Sequence, residues 1–178
     1  QANKYKVPRI GFVNMMDRSG ADFFNVVTQI RERLGANPVP LQVPIGAEAD
    51  FLGVVDLINN RGMVWNEADQ GMTWTEVPIP DDLVDTVKEW RAKLIEAVAE
   101  SDDTLMEKYF NDPDSLTEAE IMNAIRISAI NMSITPILCG SAFKNKGVQT
   151  MLDAVMAYLP SPMDIESVIG IDPRTDAE

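Results

Sequence analysis

The chain has 178 residues, 46% of them hydrophobic, and a formal net charge of −13, so it can form one domain, with or without an insertion, around a sizeable core. It contains no histidine and a single cysteine, which excludes histidine-based catalysis, disulfide frameworks and cysteine-rich metal sites within it. We find no run of about 18 apolar residues that would span a membrane. We see no secretion signal either, and predict a cytoplasmic location.

The acidic residues are concentrated in one part of the chain. Between Glu67 and Glu120 there are 16 acidic and 4 basic residues, so this stretch carries −12 of the net charge of −13. Such a surface repels phosphates, and we expect no nucleic-acid-binding patch. The uneven distribution also indicates that different parts of the chain meet different partners.

The first predicted element is a short apolar strand, Arg9 to Val13, which ends in Asn14 and is followed by Asp17. This pattern is typical of a buried parallel strand that delivers polar side chains to the carboxyl edge of a sheet. An amphipathic helix follows from about Asp22 to Leu34, with Gly35 placed for a left-handed C-cap. Strand, loop and helix together make a βα unit.

The pattern then changes to short extended segments. We predict a turn at Asn37–Pro40, because Pro flanks Val39 on both sides. Four β-rich segments separated by polar or glycine-containing turns come next, which predicts a small antiparallel meander. These segments are Leu41–Ile45, Phe51–Ile58, Met63–Trp65 and Met72–Val77.

Three acidic helices are predicted after the meander: Asp81–Glu100, Asp103–Phe110, and a third that runs to about Asn131. The third begins with a capping box formed by Thr117 and Glu120. Two further elements complete the chain, the strand Thr135–Cys139 and the helix Val148–Leu159. We expect that last helix to be buried through Val148, Met151, Leu152, Val155 and Leu159.

This order of elements predicts an α/β fold, in which a partial doubly wound sheet carries an inserted α+β subdomain. The sheet would be formed by residues 1–35 and 132–163, and the insertion by residues 36–131. Residues 164–178 are polar and are predicted to be a linker. The two apolar strands of the sheet would then end side by side, although 127 residues separate Asn14 from Ser141.

The loops after these two strands have the chemistry needed to recognise guanine. The Asp17 carboxylate can accept hydrogen bonds from the N1–H and the exocyclic amine of guanine, whereas adenine has neither donor. Asn14 can tie the two loops together. In the second loop, Gly140-Ser141-Ala142-Phe143, the Ser141 hydroxyl can hold Asp17, and a backbone N–H near Ala142 can bond the keto oxygen. An N-x-x-D pattern alone is a common turn, but the second loop makes a guanine site the better interpretation.

Longer stretches resemble the bacterial elongation factor G family of translational GTPases over essentially the whole chain. They include NMMDRSGADF, IRERLGANPVPLQVPIGAE, FLGVVDLI, LMEKYF, LTEAEI, CGSAFKNKGVQTMLDAV and YLPSPMD. The two loops are similar to the N-K-x-D and S-A-x motifs of that family. The resemblance implies the carboxyl-terminal half of a P-loop NTPase-type GTPase domain with the inserted G′ subdomain, and a role in ribosomal translocation. It also implies guanine binding through Asn14, Met15, Asp17, Ser141, Ala142 and Phe143.

Two departures from the family pattern affect the expected activity. Met15 stands where the family has Lys, so apolar stacking on the base is retained but the ammonium is lost. The phosphate-binding motif G-x-x-x-x-G-K-[ST] is absent. The family places this motif, and the D-x-x-G that serves the γ-phosphate and Mg²⁺, before this segment. We therefore expect a fragment with no catalytic or metal-binding residues of its own, whose parent binds GTP or GDP with Mg²⁺. The alternative is a ribosome-docking module or paralogue that binds nucleotide weakly or not at all.

The acidic insertion has a predicted partner of its own. The resemblance implies that it meets the C-terminal domain of the ribosomal stalk protein, and exposed acids could steer a basic partner. The residues we predict for this contact are Asp82, Asp85, Glu89 and Glu96. Lys144 and Lys146, in the second loop, are either solvated charges or groups that close the base pocket or touch ribosomal RNA.

Overall fold

The fold is described from a computed structural model of the chain, which covers residues 1–100, 103–112 and 115–164. The predicted linker 164–178 lies outside the described residues except for Asp164. In chain order, the elements are β1 (Gly11–Val13), α1 (Phe23–Leu34), β2 (Pro38–Pro40), β3 (Gln42–Ile45), β4 (Gly53–Asp56), β5 (Arg61–Trp65), β6 (Trp74–Val77), α2 (Val84–Ala99), α3 (Asp103–Asn111), α4 (Glu118–Ile130), β7 (Thr135–Cys139) and α5 (Val148–Tyr158).

The first of two sheets is parallel and has the strand order β1-β7-β2. Strands β1 and β7 are neighbours in register, with Val13 opposite Cys139. Their carboxyl ends therefore meet at the same edge of the sheet, which confirms the expected placement of the two loops. The partial parallel sheet predicted from the order of elements is also confirmed.

The prediction of a turn at Asn37–Pro40 is wrong. Pro38–Pro40 forms strand β2, which pairs in parallel with β7 from Pro38 opposite Thr135 to Pro40 opposite Ile137. Strand β2 is the sheet edge, where a proline that lacks an N–H costs no ladder bond on its outer side. The parallel sheet thus includes residues that we had placed inside the insertion.

The second sheet is the predicted antiparallel meander, in the order β3-β4-β5-β6. Trp65 and Trp74 face each other across β5 and β6; Trp65 is buried, while Trp74 is partly exposed. The two Trp therefore form a cross-strand pair within a hairpin. We call the four strands β3–β6, with their connecting loops, the meander.

Helices α1 and α4 have side-chain caps at their N-termini, whereas α2 begins at Val84 rather than at the predicted Asp81, because residues 81–83 form a 3-10 turn. The Asp22 side chain accepts from the N–H of Asn25 at the start of α1, and Gly35 ends that helix in the left-handed region with φ 60°. At α4, Thr117 and Glu120 form the complete capping box. These caps satisfy N–H and C=O groups that a helix end would otherwise leave unbonded.

The buried face of α5 differs from the prediction. Leu152 and Val155 are exposed, and the helix is buried through Ala154 and Tyr158 instead. Helix α5 carries apolar residues on two faces, and helical periodicity cannot say which of two apolar faces packs inward. Here the Ala154–Tyr158 face packs against the core, and small Ala154 allows close approach to the helix beside it.

Two hydrophobic clusters hold the molecule together. One joins the α2–α4 helices to β3 and to the C-terminal end of α5. The other joins both sheets, since Val13, Ile137 and Cys139 of the parallel sheet pack with Phe51 and Trp65 of the meander. Within the described residues, no helix has the length and apolar character needed to cross a membrane.

Candidate functional site

Two loops at the carboxyl edge of the parallel sheet form the candidate site. Loop 1 is residues 14–20, and loop 2 is residues 140–147. Their backbones are bonded directly: the N–H of Gly140 donates to the Val13 carbonyl at 3.0 Å, and the N–H of Met16 donates to the Gly140 carbonyl at 3.1 Å. The two loops therefore continue the parallel pairing of β1 and β7 beyond the strands and are held as one unit.

Asn14 links the two loops through its side chain, as predicted. Its Oδ1 accepts from the backbone N–H of Ala142 at 2.9 Å. That N–H was a candidate donor to the keto oxygen of guanine, but it is already engaged by Asn14. A keto oxygen at this site would have to take its bond from a neighbouring N–H.

Ser141 is fully buried, and its hydroxyl oxygen accepts from the backbone N–H of Lys144 at 3.4 Å. As a hydrogen-bond partner of the Asp17 carboxylate, the Ser141 side chain lowers the pKa of Asp17 below its usual value, with smaller contributions from the backbone N–H of Asp17 and from the positive charges of Lys144 and Arg18. Asp17 is therefore an ionised acceptor at neutral pH.

Met15 and Phe143 present large apolar side chains beside these polar groups. Met15 is 59% exposed, and Phe143 is 91% exposed. Met15 also has a φ of 62°, in the left-handed region that non-glycine residues rarely adopt. The N–H of Arg18 donates to the Met15 carbonyl at 3.0 Å and closes a turn that contains Asp17.

The space around the loops is an open surface with an adjoining cleft. A cleft of about 370 Å³ lies beside loop 1 and is lined by Asn14 and Met15, but not by Asp17 or Ser141. The polar groups that match guanine thus lie next to this cleft rather than inside an enclosed cavity. Such a surface can form hydrogen bonds with one edge of a base without enclosing the base.

Lys146 differs from both of its predicted roles. It is only 2% exposed, and its Nζ donates to the Phe51 carbonyl at 3.0 Å and to Glu67 Oε1 at 2.8 Å. It is therefore neither a solvated charge nor a group that closes the base pocket. No local pattern in the sequence indicated this contact, because its partners lie 95 and 79 residues away.

The acidic residues predicted to contact a partner are accessible. Asp82, Asp85, Glu89 and Glu96 are all exposed, on α2 and the turn that precedes it. Glu89 pairs with Lys93 one helical turn away at 2.5 Å. Across the described residues, no group of three or more His, Cys, Asp or Glu side chains is placed to hold a metal ion.

Comparison with known proteins agrees with this arrangement. The family model described as the elongation factor Tu GTP binding domain matches residues 1–161. The chain is 64% identical over 177 residues to elongation factor G of Cytophaga hutchinsonii and 62% identical over 176 residues to elongation factor G of Amoebophilus asiaticus. Each match covers 99% of this chain but only 25% of the relative, so the chain spans about a quarter of the length of these curated relatives.

A solved structure shows the same fold at lower identity. A crystal structure of a protein from Thermus thermophilus, 23% identical, superposes with a TM-score of 0.78 over 92% of this chain and 24% of its own. The family match covers both loops and the whole segment between them. The chain therefore belongs to the family of elongation factor Tu GTP-binding domains.

Proposed function

We propose that this chain is the guanine-recognition part of a longer translational GTPase that promotes ribosomal translocation. The observation that carries the proposal is the contact of Asn14 Oδ1 with the backbone N–H of Ala142 at 2.9 Å, which holds the two loops together at the sheet edge. Asp17 in the first loop is ionised, and the Ser141 side chain lowers its pKa. High identity to elongation factor G over 99% of the chain supports the same function.

Recognition would depend on donors that only guanine offers. The Asp17 carboxylate accepts from N1–H and the exocyclic amine, and adenine would leave it without partners. The N–H of Phe143, which donates to no protein group in the described part of the chain, would bond the keto oxygen. Met15 and the exposed Phe143 ring would contact the apolar faces and edge of the base.

The phosphates and Mg²⁺ would be bound by parts of the protein that this chain does not contain. The chain has no G-x-x-x-x-G-K-[ST] motif, so it contributes specificity for the base and not the chemistry of hydrolysis. We infer that the isolated chain neither hydrolyses GTP nor binds GDP detectably. The whole protein would act in the cytoplasm.

The segment between the two loops would be a ribosome-docking insertion. Because β2 belongs to the parallel sheet, we place the start of the insertion after Pro40 rather than at residue 36. Its acids Asp82, Asp85, Glu89 and Glu96 would attract the stalk protein's C-terminal domain. Charges of this kind raise the association rate and select partners more than they add affinity.

A second function is favoured by one specific residue. Met15 replaces the Lys of the N-K-x-D motif, and without the ammonium the site loses one positive charge near the nucleotide. In this reading, the protein docks on the ribosome but binds nucleotide weakly or not at all. The two functions differ in one measurable quantity, the affinity of the longer protein for GDP.

Isothermal titration of the full-length parent with GDP separates them. We expect micromolar binding by the parent and binding a few-fold tighter, about 3-fold, after Met15→Lys, since a single exposed charge contributes only modestly. Adenosine diphosphate serves as the control ligand and should not bind. Absence of GDP binding in both proteins would refute the nucleotide-binding role, and equal binding in both would show that Met15 does not weaken the site.

A further inference from the structure

Both loops of the site rest on loops of the meander. Loop 1 contacts Glu48, in the β3–β4 connection. The N–H of Glu48 donates to the Met16 carbonyl at 2.8 Å, and its Oε1 accepts from the N–H of Gly20 at 2.7 Å. One residue of the insertion thus bonds loop 1 near its beginning and at its end.

Loop 2 is held more extensively, through Lys146. The backbone of Lys146 pairs with Ser141 in both directions, at 2.9 and 3.0 Å. Its side chain crosses to the meander, where the Phe51 carbonyl and Glu67 accept from its Nζ. Lys146 thereby connects the meander to Ser141, whose side chain lowers the pKa of Asp17.

Gly71 makes a second contact between the meander and loop 2. Its carbonyl accepts from Asn145 Nδ2 at 3.2 Å and from Gln149 Nε2 at 2.9 Å. Its φ is +75°, and an added Cβ would lie 2.6 Å from the Lys144 carbonyl oxygen. The backbone of the β5–β6 connection is therefore in direct contact with loop 2, with no room for a side chain between them.

The pair between Lys146 and Glu67 is asymmetric in its exposure. The Lys146 side chain is 2% exposed, whereas that of Glu67 is 70% exposed. Loss of Glu67 would leave a buried ammonium with a single carbonyl, which is more costly than loss of an ordinary surface pair. Since Ser141 is bonded to the backbone of Lys146, any relaxation of Lys146 would move the Ser141 hydroxyl.

We propose that the contacts of Glu67 and Gly71 with loop 2 set the affinity of the guanine site from within the insertion. Glu67 and Lys146 act here as positioning residues, which orient Ser141 and through it Asp17. The inference rests on the proposed guanine-binding function. Because coupling between two sites is reciprocal, a partner that draws Glu67 away from Lys146 weakens nucleotide binding, and bound nucleotide opposes that partner.

The test compares two exposed glutamates of the meander that each pair with a basic side chain. In the full-length parent, the dissociation constant for GDP is measured by titration for wild type, Glu67→Ala and Glu76→Ala. Glu76 pairs with Arg61 at 3.3 Å and is the matched control. We expect Glu67→Ala to raise the dissociation constant about 5-fold or more, in the usual range of coupling between sites, and Glu76→Ala to leave it unchanged.

A double-mutant cycle separates positioning from a general loss of stability. If Glu67 acts through Lys146, then Lys146→Met weakens GDP binding much less in the Glu67→Ala background than in wild type. Independent structural effects would add, and would lower the fraction of protein able to bind rather than its affinity. Should Lys146→Met fail to fold, Glu67→Gln replaces it, and we expect an effect between wild type and Glu67→Ala because the acceptor oxygen remains.

The outcomes distinguish this inference from the function on which it rests. A wild-type parent that does not bind GDP refutes the proposed function. A wild-type parent that binds GDP, with Glu67→Ala within 2-fold of it at unchanged stoichiometry, overturns the inference and leaves the proposed function standing. Equal weakening by Glu67→Ala and Glu76→Ala would also overturn it, because the effect would then come from net charge.

Discussion

The parallel sheet and the meander with its helices differ in charge, yet hydrophobic side chains from both regions pack together. Residues 1–40 and 132–163, which contain the parallel sheet, have 8 basic and 4 acidic residues, whereas residues 67–120 carry a net charge of −12. The second hydrophobic cluster nonetheless contains side chains from both regions. The charged and polar groups thus differ between the two regions, whereas hydrophobic packing extends through both.

The packing shared by the two regions determines how the insertion can influence the parallel sheet. An insertion tethered only by its two ends would move independently, as separately folded domains commonly do. Here Trp65 packs with Ile137, and its indole N–H donates to Gln149 of α5 at 3.0 Å. We expect the two regions to unfold in a single cooperative transition, and a structural change in one region to alter the other.

The largest expected effect lies in the parallel sheet. Replacement Asp17→Ala removes the acceptor of two guanine donors and should weaken GDP binding of the full-length parent by about 1,000-fold or more. The urea midpoint should change little, since Asp17 is at the surface of the loop. Titration calorimetry measures the first quantity and equilibrium denaturation the second.

The variant Asp17→Asn is the control for this prediction. Its amide can donate to a keto group at the position of the exocyclic amine, so xanthosine diphosphate should bind better than GDP. If GDP remains the preferred ligand of Asp17→Asn, Asp17 does not read the edge of the base.

The next effect tests the shared core. Trp65→Ala removes a fully buried indole and should lower the free energy of unfolding by about 3–5 kcal/mol, in the range of large-to-small core substitutions. Trp74→Ala, its exposed cross-strand partner, is the control and should cost much less. Urea denaturation followed by far-UV circular dichroism and by tryptophan fluorescence should give one coincident transition, and two separated transitions would contradict a single cooperative unit.

A smaller effect is expected on the acidic surface. Reversal of Asp82, Asp85, Glu89 and Glu96 to Lys should weaken binding of the stalk protein's C-terminal domain by about 10-fold at low salt. The difference should disappear at about 1 M salt, where charges are screened within about 3 Å. GDP affinity of the same variant should be unchanged, since none of these residues contacts either loop. Binding that ignores the reversal would locate the partner elsewhere.

The smallest effect concerns the start of α4. Hydrogen bonds from the Lys108 ammonium and from the N–H and hydroxyl of Thr117 lower the pKa of Glu120 to about 2, from a usual 4.5. A lowered pKa stabilises the fold above pH 4.5, and this contribution is lost as the pH falls from 4.5 towards 2. The difference in urea midpoint between wild type and Glu120→Gln should therefore shrink over that interval; a constant difference would contradict the assignment.

Local signals predicted much of this molecule. The predicted caps at Gly35 and Thr117 depend on residues within four positions of each other, and both are present. The contact of Asn14 with loop 2 was predicted because parallel strands that neighbour each other end at one edge. Whether these loops bind guanine remains a prediction.

The predictions that the structure contradicts share a different cause. Pro38 and Pro40 look like turn residues, and only their edge position in the sheet makes a strand possible. Leu152 and Val155 have the periodicity of a buried face, but α5 packs through its other apolar face. Lys146 is buried by residues far away in the chain. In each case, long-range packing decided between local alternatives of similar free energy.

The thiol of Cys139 can report how often the central strand of the parallel sheet opens. Cys139 is the single cysteine of the chain, it lies in β7 between the two other strands of the parallel sheet, and burial raises the pKa of its thiol. A thiol reagent can attack it only as a thiolate and only while the sheet is locally open. The rate at which the thiol is labelled therefore measures how often β7, the strand paired with both β1 and β2, opens. A ligand that binds only the closed form must slow this rate in proportion to its occupancy.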